Sequence, residues 1–474
     1  MQRPKHNFLY PITSLLILVL FAFVTLNHVY AKTYLLSPGQ MTEVYAAFKK
    51  AGAGDTLYFA PGTYMIDKPL APVNSGKADN WLVIMAAERK TAIIDGTDFL
   101  KDEEFGRSAS RVGKGLLHIE GVSYVRVVNI TVQNSHSLGI MVGTKNNPAW
   151  FTELIACNSH GSYNSGIGLW YSRHTKVFGC EITGANDQDL RTADVAVRRE
   201  APHEALTVAG AENFEVAYNY IHHCDKEGVD VKEVSNRGVV HHNLITDMPR
   251  QGLYADSWFG TLSDVTFHSN IVHDCEWGLA ISAEGKDSYL KNLRIFNNIL
   301  YNNVGSGFFI SIWGHDMMRK DILIYNNTVY NNGTPDHWSG LTGGFGCVTR
   351  NVEELHIFNN VFADNFGYPV AFPFTGAIED SLKDRDILIE NNLMTSVAQK
   401  APYPGFFDVM LYVYAGNNSI IADPGFQNAD AGIFSLMDDA PAKGKAIQPY
   451  PFVEFQDLGA ENQADKQILE VYFK

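Results

Sequence analysis

From residue 216 onward, apolar and polar positions alternate in short bursts, each ending in an amide and a turn. The lines read VAYNYIHHCDKEGVDV, VVHHNLITDMPRQGLYA, VTFHSNIVHDCEWGLAI, RIFNNILYNNVGSGFFI, LIYNNTVYNNG, HIFNNVFADNFG and LIENNLM. A period of two over a few residues is the mark of a half-buried strand, and no helical period fills the gaps. The recurring amides are Asn219, Asn243, Asn270, Asn298, Asn327, Asn360 and Asn392, separated by 24, 27, 28, 29, 33 and 32 residues. Leucine-rich repeats have this length, but their Leu-x-x-Leu-x-Leu line is missing. The pattern predicts an all-β chain wound as a single-stranded right-handed parallel β-helix, with like positions stacked at roughly 4.8 Å and each marker Asn bonded to the next.

Earlier coils fit more loosely. Asn129 is read as a marker, and Cys157 and Cys180 fall near the ladder position. Cys224 and Cys275 each lie five residues past a marker but two coils apart, too far for a disulfide, so they are expected to be free and buried. Met41 to Lys50, MTEVYAAFKK, reads as a short amphipathic helix closing the open apolar end of the stack. The expected organisation is a signal peptide over 1–31, an N-terminal cap over 32–60, the β-helix over 61–420 and a C-terminal capping segment over 421–474.

Hydrophobic residues make up 46% of the 474 and charged residues 19%, a balance able to bury a large core. At the start, Arg3 and Lys5 precede an apolar run and a Val29-Tyr30-Ala31 cleavage pattern, an export signal; the alternative is an uncleaved anchor, for which the run is short. Cleavage would leave no stable membrane span and a secreted or periplasmic protein. The formal charge of −15 disfavours nucleic acid as a partner. The expected partner is a polysaccharide.

Aligning the x-Gly-apolar-x-apolar lines sorts residues into columns. Val229 and Val231, Leu253 and Ala255, Leu279 and Ile281, and Phe308 and Ile310 point inward; Asp230 and Lys232, Tyr254 and Asp256, Ala280 and Ser282, and Phe309 and Ser311 point outward. A structural ladder repeats its chemistry at every coil. Here two adjacent coils are charged and the following ones are bland, as a site requires. Asp230 and Asp256 fall about 8 Å apart by strand rise and spacing, within the range of an inverting carboxyl pair. Glu227 can replace either, Lys232 keeps a neighbour ionised, and Glu204 shares a turn column with Glu227. The alternative is a surface ion-pair network. Aromatic side chains at Trp170, Tyr254, Trp258, Phe309 and Trp313 offer faces for sugar rings. A charged insertion before Glu204 carries Arg198 and Arg199, which with Arg250 would meet acidic groups of a substrate. The histidine pairs at 222–223 and 241–242 alternate faces and form no recognisable zinc set.

The stretch AGAGDTLYFAPGTY, the marker-Asn stack and the DPGF ending together resemble secreted right-handed β-helix proteins of the pectin-lyase-like superfamily. The opening most resembles the polysaccharide lyases that cut alginate and dermatan chains. That resemblance implies calcium held by Glu204, Asp225 and Glu227, with Lys232 removing the proton α to a uronate carboxylate. It also implies an Arg on the next coil, but Asp256 stands in its place and Arg250 precedes the turn. Elimination without that Arg leaves the uronate charge to calcium, and a Lys among acids holds its proton tightly. The expectation is therefore hydrolysis by Asp230 and Asp256, tuned by Glu227 and Lys232, with no required cofactor. Substrate contacts are assigned to Glu204, Arg250, Tyr254, Trp258, Trp170 and Trp313. Calcium-dependent elimination is the alternative, and a non-catalytic carbohydrate-binding solenoid a second.

Overall fold

The computed structural model describes residues 31–99, 113–190, 202–372, 378–395, 412–413 and 416–460. The export segment up to residue 30, the insertion residues Arg198 and Arg199, and 461–474 lie outside them.

The chain forms a parallel β-solenoid of about 13 turns with very few helices, as the amide period predicts. Each full turn contributes strands to three faces. In one coil, for example, Val229–Lys232 lies on the first face, Asn236–His241 on the second and Leu244–Thr246 on the third. Register is parallel from coil to coil: Leu206, Val229 and Leu253 form one row, and Tyr220, Leu244 and Ile271 another. Inward side chains of all faces merge into one continuous apolar core.

The marker amides stack as read. Asn219 donates to Asn243 at 2.8 Å, Asn243 to Asn270 at 2.9 Å, Asn270 to Asn298 at 2.9 Å, and the chain of bonds continues through Asn327 and Asn360 to Asn392. Each residue just before a marker has positive φ, from Tyr218 (58°) to Asn391 (51°), the left-handed step that turns the second face into the third. This corrects one assignment. Asn129, with φ 60°, is that turning residue, and the ladder position of its coil is the next residue, Ile130. Cys157 and Cys180 do occupy the column, and the Cys180 backbone N–H donates to Asn219 Oδ1 at 2.8 Å. All five cysteines are free and buried.

Doubled amides have separate tasks. In Asn326-Asn327, Asn359-Asn360 and Asn391-Asn392 the second builds the internal ladder. The first donates outward to the backbone carbonyls of Asp457, Ile447 and Lys445. The C-terminal segment therefore folds back along the outside of the stack instead of only closing its end. Phe434 and Ala460 pack on Leu244, Ile271 and Ile299, and Val453 packs on Leu323 and Phe358.

At the other end Met41–Lys50 is helical as expected, burying Val44, Ala47 and Phe48, with Glu43 in its first turn and Lys49 and Lys50 in its last, matching the helix dipole. Thr33–Leu36 already pairs in parallel with Thr56–Phe59, so the ladder begins within the segment 32–60.

Turns from the third face to the first pass close together. A Cβ on Gly228 would sit 2.5 Å from the Gly252 carbonyl oxygen, and one on Gly278 would sit 2.5 Å from that of Gly307. That crowding explains the Gly in every x-Gly-apolar line. Among the described residues no helix is long and apolar enough to cross a membrane.

Candidate active site

The first face carries a pocket of about 320 Å³, lined by Glu204, Lys226, Glu227, Asp230, Lys232, Arg250, Tyr254, Asp256, Trp258, Glu284 and Trp313. Parity is as predicted. Val229, Val231, Leu253 and Ala255 are buried in the core, and Asp230 and Lys232 stand beside Tyr254 and Asp256 in register. Glu204 and Glu227 share a column: the Ala205 N–H donates to the Glu227 carbonyl at 2.8 Å.

The charged residues are not a surface network. Asp230 is 1% exposed, Asp256 3% and Lys232 7%, so outward from the coil means into a walled pocket. One wall comes from the lengthening of the corner between first and second faces. From Lys232 to Val239 is seven residues, from Asp256 to Thr266 ten and from Ser282 to Arg294 twelve, counted between register-matched positions (239−232, 266−256, 294−282). The extra residues place Trp258 and Glu284 against the acids. Glu284 and Lys226 were missed in the sequence, where the Ala280 and Ser282 coil looked bland; the widening interval was the available signal.

Lys232 organises the floor. Its Nζ donates to Glu204 at 2.6 Å and lies 3.4 Å from Asp230. Burial alone pulls its pKa down, but Glu204, Asp230 and Asp256 together raise it, so it is a fixed cation. Burial pushes Glu204 up, yet Lys232, with help from His203 and Lys226, holds it at about 2; Thr207 also donates to it at 2.8 Å. Burial first, then Glu204, raises Asp230 well above the usual carboxylate range. Burial first, then Glu284, does the same to Asp256. Burial also raises Glu227, against the opposing charge of Lys226. Three buried oxygens, Glu227 Oε2, Asp230 Oδ1 and Asp256 Oδ1, have no hydrogen-bond partner within the protein, which fits a site that receives donors from a ligand.

The aromatic side chains divide. Trp258 is 51% exposed at the rim and Trp313 lines the pocket. Tyr254 and Phe309 are buried, a correction to their reading as exposed platforms: Tyr254 donates to Glu284 and meets Trp313 edge-on at 5.8 Å. Trp170 sits in the column of Lys232 and Asp256, two coils ahead of Lys232, packed edge-on against His203 at 4.6 Å, and does not line the pocket. Arg250, although in another column, reaches in to pair with Glu227 at 3.0 Å.

The calcium set Glu204, Asp225 and Glu227 is not brought together. Asp225 is exposed and lines a separate cleft with His223, Asp247 and Asp274, while the Glu204 carboxylate is engaged by Lys232 and Thr207. Among the described residues no three acidic, imidazole or thiol groups converge as metal ligands. The trio as assembled does not fit the ion.

The model for the right handed beta helix region matches residues 115–292, 200–318 and 260–394, together more than half of the chain. The chain belongs to the right-handed β-helix family. Pectate lyase C of Dickeya chrysanthemi is 24% identical over 172 residues, covering 33% of this chain and 41% of its own length, so the match spans about two fifths of that relative. The PL6 family alginate lyase AlyGC superposes with a TM-score of 0.51 at 14% identity, over 89% of this chain and 59% of its own. The A-module of the mannuronan C-5 epimerase AlgE4 from Azotobacter vinelandii gives 0.47 at 10% identity, over 80% and 89%. At 14% identity the AlyGC superposition speaks for the β-helix fold alone.

Proposed function

We propose that this β-helix protein cleaves glycosidic bonds of a polysaccharide in its acid-rich pocket, and that it does so by hydrolysis. The observation that carries the reading is the buried carboxyl pair on adjacent coils with a fixed ammonium on one side. Burial and Glu284 favour the protonated form of Asp256, which suits it to serve as the acid for the glycosidic oxygen. Asp230 is raised as well, but the Lys232 ammonium 3.4 Å away opposes that rise, and to Asp230 we assign the proton taken from water. Register places them two positions along and one coil across, about 8 Å, which leaves room for that water on the far side of the sugar. Lys232 and Glu204 set the field, Arg250 fixes Glu227, and Trp258 and Trp313 hold sugar rings.

Elimination on a uronate polymer is the second reading. It is favoured by the pectate lyase match and by the entry of Arg250 into the pocket, which supplies positive charge the columns alone did not offer. Lys232 weighs against it, because an ammonium held by three acids is a poor base. The export signal read over 1–31 belongs to the same proposal and would deliver the enzyme to the periplasm or medium.

Incubation of the purified protein with algal, plant and animal polysaccharides, with and without chelator, separates these. Hydrolysis yields new reducing ends without unsaturated, ultraviolet-absorbing termini, and chelator leaves the rate unchanged. Unsaturated products would replace hydrolysis with elimination. Glycan retained without any product would make the solenoid a binding module.

A further inference from the structure

The outer side of the first face changes character along the stack. Acids dominate the coils of Asp230 and Asp256; farther toward the C-terminus, aromatic rings take over. Trp277 stands in the column of Glu227 and Gln251, and Phe309 in that of Asp230 and Tyr254. Both are buried beneath Trp338, which is 39% exposed. Ring centroids lie 5.2 Å apart for Trp277 and Trp313, 5.7 Å for Trp277 and Trp338, and 5.5 Å for Phe309 and Trp338. Trp277 Nε1 donates to Ser339 Oγ at 2.8 Å, which fixes the lowest ring.

This cluster, with Val348 and Ile312, is separate from the main core. A β-helix does not need it: one coil earlier or later the same columns are filled by Gln251, Ala280 and Gly346. Toward the N-terminus the Phe309 column carries Thr207 and Gly168. Trp313 joins the two regions, since it lines the pocket and also packs on Trp277.

We propose that Trp313 and Trp338, supported by Trp277 and Phe309, form a platform that binds successive pyranose rings of the glycan whose scissile bond lies in the pocket. The substrate then runs along the solenoid axis from the pocket toward the C-terminal coils. The inference rests on the reading of the pocket as a glycan-cleaving site. From the Asp256 coil to the strand Phe345–Cys347, which Trp338 precedes, is three coil steps, about 14 Å. That length suits a few sugar units in extended form. Apolar C–H faces of pyranose rings stack on indole while their hydroxyls stay in water, so the platform gains affinity with little desolvation of polar groups.

The test uses the full-length protein and a homologous series of oligosaccharides, disaccharide to hexasaccharide, cut from whichever polysaccharide it processes. Wild type should show kcat/KM rising with chain length. Trp338→Ala should flatten that rise by roughly tenfold for the longest member, mainly through KM. Trp150→Ala, an exposed tryptophan on distant coils, should keep it. Length dependence that survives in Trp338→Ala overturns the platform. Affinity electrophoresis of the same variants in polysaccharide gels keeps the two readings apart. Retention that depends on Trp338 without cleavage sinks the enzymatic reading and leaves the platform standing. Cleavage with retention indifferent to Trp338 does the reverse, and neither cleavage nor retention removes both.

Discussion

The amide ladder and the acid pocket are built on the same coils and follow opposite rules. The ladder, between second and third faces, repeats one residue type so that every member satisfies its neighbour: Asn243 both accepts from Asn219 and donates to Asn270. The pocket, on the first face, changes residue type at every step, from Thr207 to Asp230 to Tyr254 and from Ala209 to Lys232 to Asp256. Repetition removes unsatisfied groups. Variation leaves them, and Asp230 Oδ1 and Asp256 Oδ1 are buried without protein partners. A parallel solenoid can hold such a local irregularity because its stability is spread over many nearly independent coil-to-coil interfaces.

Three substitutions sharpen the contrast. Lys232→Met should be the most damaging, because it leaves Glu204 and Asp230 buried without their cation; the expected loss is about 3–5 kcal/mol in chemical denaturation. The pH dependence of the wild type should report the same pair. The Glu204 carboxyl titrates at about 2 when folded, below the roughly 4.3 of an unfolded Glu. Its contribution is therefore complete above the unfolded value and disappears as pH falls toward 2, and Lys232→Met should lack this acid-sensitive portion. An identical acid limb in both proteins would contradict the pairing.

Asn270→Ala should cost about 1–3 kcal/mol by orphaning the neighbouring amides while leaving activity per folded molecule unchanged. A loss of activity without loss of stability would mean that ladder and pocket are not separate. Asn326→Ala removes the outward bond to Asp457 and the long bond that its Oδ1 accepts from Asn359, so the expected cost is about 1 kcal/mol, with earlier proteolysis of the C-terminal strap as its signature.

Much of this was legible in the chain. The spacing of Asn219 to Asn392 specified the coils, and the parity of Val229, Asp230, Val231 and Lys232 specified which side chains leave the core, because a parallel stack turns sequence period directly into columns. What parity cannot report is what lies above a column. Asp230 and Asp256 were read as outward, but their burial depends on the corner residues after Ser257 and Ser282, whose course is set by tertiary packing. The same limit hid Glu284, which reaches back from a longer corner, and Arg250, whose long side chain crosses from one column to another. The fold-back of 421–460 was hidden for a related reason: its partners, Asn326 and Asn359, look identical to the ladder residues beside them.

The claim that the first face performs chemistry through its paired acids is tested most directly by Asp256→Asn, a near-isosteric change at a carboxyl whose protonated form burial favours. Measured as reducing ends released from the polysaccharide that wild type cleaves, the variant should be folded, retain glycan and lose about a hundredfold or more of the rate. Full activity in that variant would contradict the account and move the reaction elsewhere on the solenoid.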